Sequence, residues 1–325
     1  MRFIRKRRSR LYTLESPKFR VGCVFQVEKY RSDGTITYKG PLFNNIVLDV
    51  GLDSWSDIEL SDQYGGLAYR LNVGTGSSEP STGQTGLDSY TASTDTILDR
   101  SYTYDETADP VYVSLWRKWE FPIGSCTGNL TELGFSTAQG GAYFNRQLFR
   151  DEYGDPVTIT VLDDEGLRVD GTVFVYAPLL PSEQITGSFL LNESVTINYH
   201  LEMAFGEDVA DSTNGFGTWV INSLDRSDWR MGLSISDTYS GYDRGQGGSD
   251  DRHSYLTGSF EQLVTTTLAP GAFVGDGARL CTGFHHHTHS TDDDLLLFHF
   301  RLDNVIPVAD NEELTIEWKM SWGRY

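Results

Sequence analysis

The chain is 325 residues long, 38% hydrophobic and 13% aromatic, with a formal net charge of −20. That apolar content supports a packed core and excludes wholesale disorder, and the length accommodates two ordinary domains or one large one. No apolar run approaches the ~18 residues of a membrane helix, and runs such as Leu295–Phe298 are strand-sized, so no membrane-spanning helix is expected.

The charge is uneven. The first ten residues hold Arg2, Arg5, Lys6, Arg7, Arg8 and Arg10 and no acid, so the remainder is more acidic than the whole. An acidic body repels nucleic acid and stays soluble. We expect residues 1–14 to form a basic N-terminal arm. Three readings stand: a solvated tail, an assembly arm docking on an acidic neighbouring subunit, or a contact to packaged DNA, where six charges would neutralise several phosphates. The arm begins as a signal peptide does but lacks the apolar stretch that must follow, so export by that route is not expected. Cys23, Cys126 and Cys281 are sparse, odd in number and far apart. They suit a reducing compartment rather than a disulfide framework.

Taken in chain order, the predicted elements are strands. Phe19, Val21, Cys23, Phe25 and Val27 alternate with polar Arg20, Gln26 and Glu28, which places Cys23 in the core as a small apolar residue. Asp57–Tyr64 is the best helix candidate and is too short to matter. Tyr69–Gly76 reads as a strand ending in a Gly-Thr-Gly break, and a polar loop follows over Gly74–Ser93. Val157–Val161, the turn Asp163–Gly166 and Leu167–Tyr176 read as a hairpin rich in β-branched residues. Val195–Phe205 and Leu314–Trp322 alternate again, with polar loops at Glu207–Gly217 and Ser236–Ser254. The expected fold is all-β: an antiparallel sandwich or jelly-roll-like arrangement with long polar loops. Pro178 and Pro181 bracket a boundary, giving a first β unit over 15–178 and a second over 179–325. The alternative is one large β unit in which the C-terminal strand, 313–323, pairs back into the first.

Four segments carry a further pattern: Tyr69-Arg70-Leu71-Asn72-Val73-Gly74-Thr75-Gly76 running on to Pro80; Thr94-Asp95-Thr96-Ile97-Leu98; Leu130-Thr131-Glu132-Leu133-Gly134-Phe135; and the closing Trp322-Gly323-Arg324. In this order they resemble structural proteins of tailed bacteriophage particles. Those proteins carry a Gly-Thr-Gly-x-x-x-Pro strand-loop, a Glu-x-Gly-aromatic strand and a final Trp-Gly-Arg strand. The resemblance spans roughly residues 43–178 and the last dozen. It implies a virion component of the tail or adsorption apparatus, tail fibres included, assembled in the host bacterial cytoplasm. Such a protein acts through interfaces with other virion proteins and with copies of itself in a trimer or ring, not through catalysis. Two other readings are a receptor- or carbohydrate-binding module and a capsid-surface decoration or head fibre.

No catalytic residue is expected. There is no Gly-x-x-x-x-Gly-Lys-[Ser/Thr] loop, Gly-x-Ser-x-Gly elbow or His-Glu-x-x-His helix, and Gly74-Thr75-Gly76 lacks the third glycine of a dinucleotide loop. Asp163, Asp164 and Glu165 sit in a turn for backbone reasons. Trp219, Trp229, Tyr239, Tyr242 and Tyr255 lie in or beside loops, where aromatic rings stack on host-surface sugars or anchor an interface; Trp219 and Trp229 fit buried strands equally well. No resident cofactor is expected, with one exception. His285, His287 and His289 share a strand face and would take a transition metal with help from His299 or Asp292. Alternatively, three chains would each point one His-x-His at a common axis, as in some phage tail fibres, which bind iron. The plainer reading is a solvated edge leading into Asp292–Asp294.

Overall fold

The computed structural model describes residues 10–54, 68–136, 142–180, 183–191, 195–203, 230–234, 249–268, 281–285, 298–302 and 314–325. In chain order the strands begin with β1 (Arg10–Arg31), β2 (Ile36–Lys39), β3 (Phe43–Asn44) and β4 (Ile46–Val47). The short helix α1 (Asp49–Asp53) follows, then β5 (Arg70–Gly74), β6 (Tyr90–Thr94), β7 (Ile97–Asp105), β8 (Tyr112–Phe121) and β9 (Gly128–Leu130). Next come β10 (Glu132–Ser136), β11 (Asn145–Leu148), β12 (Ile159–Val161), β13 (Glu165–Tyr176), β14 (Gln184–Leu191) and β15 (Val195–Met203). The last are β16 (Arg230–Ser234), β17 (Ser249–Tyr255), β18 (Glu261–Leu268), β19 (Cys281–His285), β20 (Phe298–Leu302) and β21 (Leu314–Arg324). The fold is all-β, as the alternation requires.

A nine-stranded sheet runs β17-β18-β21-β1-β13-β8-β7, with β2 and β3 also paired to β1. It draws strands from both sides of the Pro178/Pro181 bracket. All its ladders are antiparallel except β1–β21, which is parallel from Arg10↔Leu314 to Val21↔Arg324. That ladder shifts register between Glu15 and Lys18, where Pro17 has no N–H to contribute. Residues 10–14, assigned above to the arm, are therefore strand, because β21, the C-terminal strand, supplies their ladder partners.

The inner face of this sheet is apolar at alternate positions: Phe19, Val21, Cys23, Phe25 and Val27 on β1, Val113, Leu115 and Trp119 on β8, and Val169, Val173 and Val175 on β13. It lies on a five-stranded sheet ordered β4-β11-β10-β5-β6, whose Leu71, Val73, Leu133 and Phe135 complete the core. Phe135 is the joint, its ring 4.7 Å from Phe25 and 4.8 Å from Trp119. Such edge-on and tilted aromatic packing adds to plain apolar burial.

The expected hairpin of 157–176 is not formed. β12 pairs with β9, because both edges of β13 are already occupied by β1 and β8. The turn between β12 and β13 instead carries a buried acid. Glu165 Oε2 accepts from Lys29 Nζ at 2.8 Å and from Leu162 N at 3.1 Å, and Oε1 accepts from Thr37 Oγ1 at 2.7 Å. The Lys29 and Thr37 bonds hold the Glu165 carboxyl at a pKa of about 2, down from the ordinary 4.5. A depressed carboxylate contributes stability above its unfolded pKa and loses it as the pH falls toward the folded value. Thermal unfolding should therefore show a fall in melting temperature from pH 4.5 down to pH 2, and Glu165→Gln should flatten that part of the profile while lowering stability at pH 7.

Candidate functional site: a loop latched over a buried ion pair

β10 is buried on both faces, its residues alternating between two environments. Leu133 and Phe135 point into the core, while Glu132, Gly134 and Ser136 share the opposite face with Asn72 of β5 and Arg146 of β11. That second face is polar yet shut off from water: Glu132 and Arg146 are both 0% exposed. It is closed by the segment Thr75–Ser89.

Apart from the bond between the two side chains themselves, the hydrogen bonds of the pair go to closing that segment. Glu132 Oε2 accepts from Arg146 Nε at 2.7 Å and from the backbone N–H of Asp88 at 3.1 Å. Its Oε1 accepts from the N–H groups of Gly76 at 2.9 Å and Ser89 at 2.8 Å. Arg146 Nη1 donates to Gln84 Oε1 at 2.8 Å, and Nη2 donates to Ser78 O at 3.0 Å and to Asp88 Oδ2 at 2.9 Å. The Ser78 hydroxyl also donates to Asp88. This bond, with Arg146 beside it, holds the Asp88 carboxyl below its usual pKa. Gln84 Oε1 accepts from Ser81 N at 2.8 Å as well, so the loop's own turn is tied to the same guanidinium.

The glycines are dictated by close approach. A Cβ at Gly76 would lie 2.4 Å from both Asp88 Cβ and Glu132 Oε1, and a Cβ at Gly134 would lie 2.3 Å from Asn145 O. Neither leaves room for a methyl group. The rim of the latched loop presents exposed hydroxyls from Thr75, Ser77, Ser78, Ser81, Thr82, Thr85 and Ser89 beside the half-exposed Tyr90.

The latch is continuous with the chain's closing strand. Asp49 N, at the start of α1, donates to Thr82 O of the loop at 2.8 Å, and Leu48 N donates to Phe144 O at 3.0 Å. α1 and the end of β4 are gripped in turn from β21: Trp322 Nε1 donates to Leu52 O at 2.8 Å, Arg324 Nε donates to Val47 O of β4 at 2.6 Å, and Arg324 pairs with Asp49.

Of the sequence-predicted site residues, Tyr255 belongs to this fastening. Its ring stacks on Trp322 with centroids 5.7 Å apart and its hydroxyl donates to Asp53. Trp219, Trp229, Tyr239 and Tyr242 lie outside the described residues. His285 ends β19 opposite Arg230, and His299 lies in β20 opposite Glu202. His287, His289 and Asp292 lie outside the described residues, among which no group of three metal-ligating side chains occurs. Arg10 opens β1, and Arg2, Arg5, Lys6, Arg7 and Arg8 lie outside. Cys23 and Cys126 are buried, which pushes both thiols up to about 12 and leaves them inert. Glu132, Arg146 and Asp88 escaped the sequence reading, although Glu132 stands in the Glu-x-Gly-aromatic pattern that flagged its strand.

No family model, curated protein or solved structure matches the chain.

Removing one partner from a buried pair strands the other charge, at a cost of about 3–5 kcal/mol. Glu132→Gln and Arg146→Met should each destabilise the protein by about that much in urea unfolding. The double variant should cost less than the sum. Limited proteolysis should cut both single variants between Ser77 and Ser89 and spare the parent chain.

Proposed function

We propose that this chain is a structural and assembly protein of a tailed bacteriophage particle, working in the tail or adsorption apparatus through interfaces with copies of itself and with other virion proteins. The observation that carries the reading is the meeting of the motifs behind the resemblance. Gly74-Thr75-Gly76 wraps the carboxylate of Glu132, Gly134 and Phe135 join that strand to its neighbours, and Trp322-Gly323-Arg324 clamps α1, which holds the same loop. Residues as far as 277 positions apart thus serve one scaffold. Its polar groups hold backbone in place, which suits a protein whose work is to present a fixed surface to neighbours and not to turn over a substrate.

A basic segment in a chain whose overall net charge is −20 suits docking between subunits. In this reading residues 1–10 reach an acidic face on a neighbouring copy. Two outcomes are expected. Light scattering of the purified chain should give the mass of a closed oligomer, a trimer or ring, and immunogold labelling should mark the tails of intact particles. A monomer absent from particles would overturn the reading. Deleting residues 1–10 should leave the circular dichroism spectrum unchanged and abolish incorporation into particles.

A further inference from the structure

On the outer face of the nine-stranded sheet, remote from the latch in the ladder, three ionisable side chains from adjoining strands converge. Lys118 of β8 stands directly opposite Asp170 of β13. The phase of the ladder is fixed by its ends: Ala177 N donates to Val111 O at 2.8 Å, and Glu120 N donates to Thr96 O at 3.0 Å. Odd-numbered residues of β8 therefore turn their backbone groups to β13, and even-numbered ones turn theirs to β7. Lys118 and Asp170 form a non-hydrogen-bonded pair, the kind in which facing side chains come closest.

The lysine arm reaches across β13. Its Nζ lies 3.7 Å from Asp170 Oδ2 and 2.7 Å from Oε1 of Glu28 on β1. The three side chains are largely withdrawn from water, at 24% exposure for Lys118, 18% for Asp170 and 8% for Glu28. Asp170 Oδ1 is buried and has no hydrogen-bond donor. Burial raises the Asp170 pKa; Glu28 adds to the rise, while Lys118 and Lys39 oppose it. Asp99 of β7 stands opposite Lys118 on the other side. As an ion pair this is a poor arrangement, since one ammonium is shared by two carboxyl groups and a desolvated oxygen goes unpaired.

We propose that Lys118 and Asp170 condense to an intramolecular amide, with Glu28 as the proton-transfer group. Glu28, within hydrogen-bond reach of Nζ, takes one proton from the ammonium. The freed amine attacks Cγ of the protonated Asp170 carboxyl, which is a far better electrophile than its carboxylate. Protonated Glu28 gives its proton to the departing hydroxyl, which leaves as water, and takes the second amine proton in its place. A C–N bond replaces one C–O bond, and Glu28 releases this remaining proton to solvent. No oxidant or co-reactant is required. The product is a covalent rung between the adjoining strands β8 and β13 of the larger sheet, and it rests on their register and side-chain geometry, independently of the particle in which the chain works.

Intact-mass spectrometry of the purified full chain tests this. The expected mass is one water below that of the sequence, with a protease fragment in which the peptides containing Lys118 and Asp170 are joined. Lys118→Arg keeps the charge and should restore the full mass. Asp170→Asn should still link, losing ammonia in place of water. Glu28→Gln retains both linking groups and should slow linkage by a factor on the order of 100. Parent chain with a native circular dichroism spectrum, full sequence mass and no joined fragment would overturn the proposal, as would a joined fragment that persists in Lys118→Arg.

Discussion

The desolvation of two opposite charges at the centre of the smaller sheet is the constraint around which this fold is organised. Burying a carboxylate and a guanidinium costs several kcal/mol for each ion, and their mutual attraction offsets that cost only when the remaining lone pairs and N–H groups are also satisfied. Glu132 meets the condition with three backbone N–H groups besides Arg146, and Arg146 with Gln84, Ser78 and Asp88. All of these partners except the pair itself come from one loop. The loop has essentially one conformation open to it, because any other would leave a buried charge short of partners. Polar bonding here does for a connecting segment what apolar packing does for a strand.

The consequence spreads along covalent neighbours. Arg146 lies on β11, two residues from Phe144, whose carbonyl holds the start of α1. α1 is the surface on which the C-terminal strand closes, through the Trp322 indole and the Arg324 guanidinium. The parallel β1–β21 ladder runs beside this clasp, so the strand that opens the described fold and the one that ends it are seated together. Loosening the pair would reach the closing strand through two steps of hydrogen bonding, with no large apolar rearrangement in between.

What the sequence discloses divides along the same line. Period-2 alternation located β1, β13, β15 and β21, because each has one apolar face and the pattern follows directly from burial. It could not reveal that β21 lies parallel to β1, since pairing partners leave no trace in periodicity. The hairpin expectation failed for a related reason: adjacency and turn chemistry favoured β12 with β13, but the latter's edges were filled by strands distant in sequence. The latch was hidden more deeply. Glu132-Leu133-Gly134-Phe135 reads as a strand with a wet face, and nothing local distinguishes a polar residue facing solvent from one facing a buried guanidinium. Thr75–Ser89 reads only as part of a polar loop because its order depends on polar atoms more than 40 residues away. Tyr255 looked available for a ligand for the same reason: its partners, Asp53 and Trp322, are remote in the chain.

The use of basic residues carries the last step. The chain holds 46 acids against 26 lysines and arginines, and in the described body the cations are repeatedly engaged with acids: Lys29 with Glu165, Arg146 with Glu132, Arg168 with Glu120, and Arg324 with Asp49. Pairing of this kind consumes positive charge inside the fold and leaves the acidic excess to the surface, where it raises a repulsive field against any like-charged neighbour. In the proposed assembly, such faces would repel between copies, and the basic segment of residues 1–10 would supply the opposite sign. Under the proposed assembly role, the acidic excess of the body and the basic composition of residues 1–10 would act together, the first keeping like faces apart and the second supplying the complementary charge.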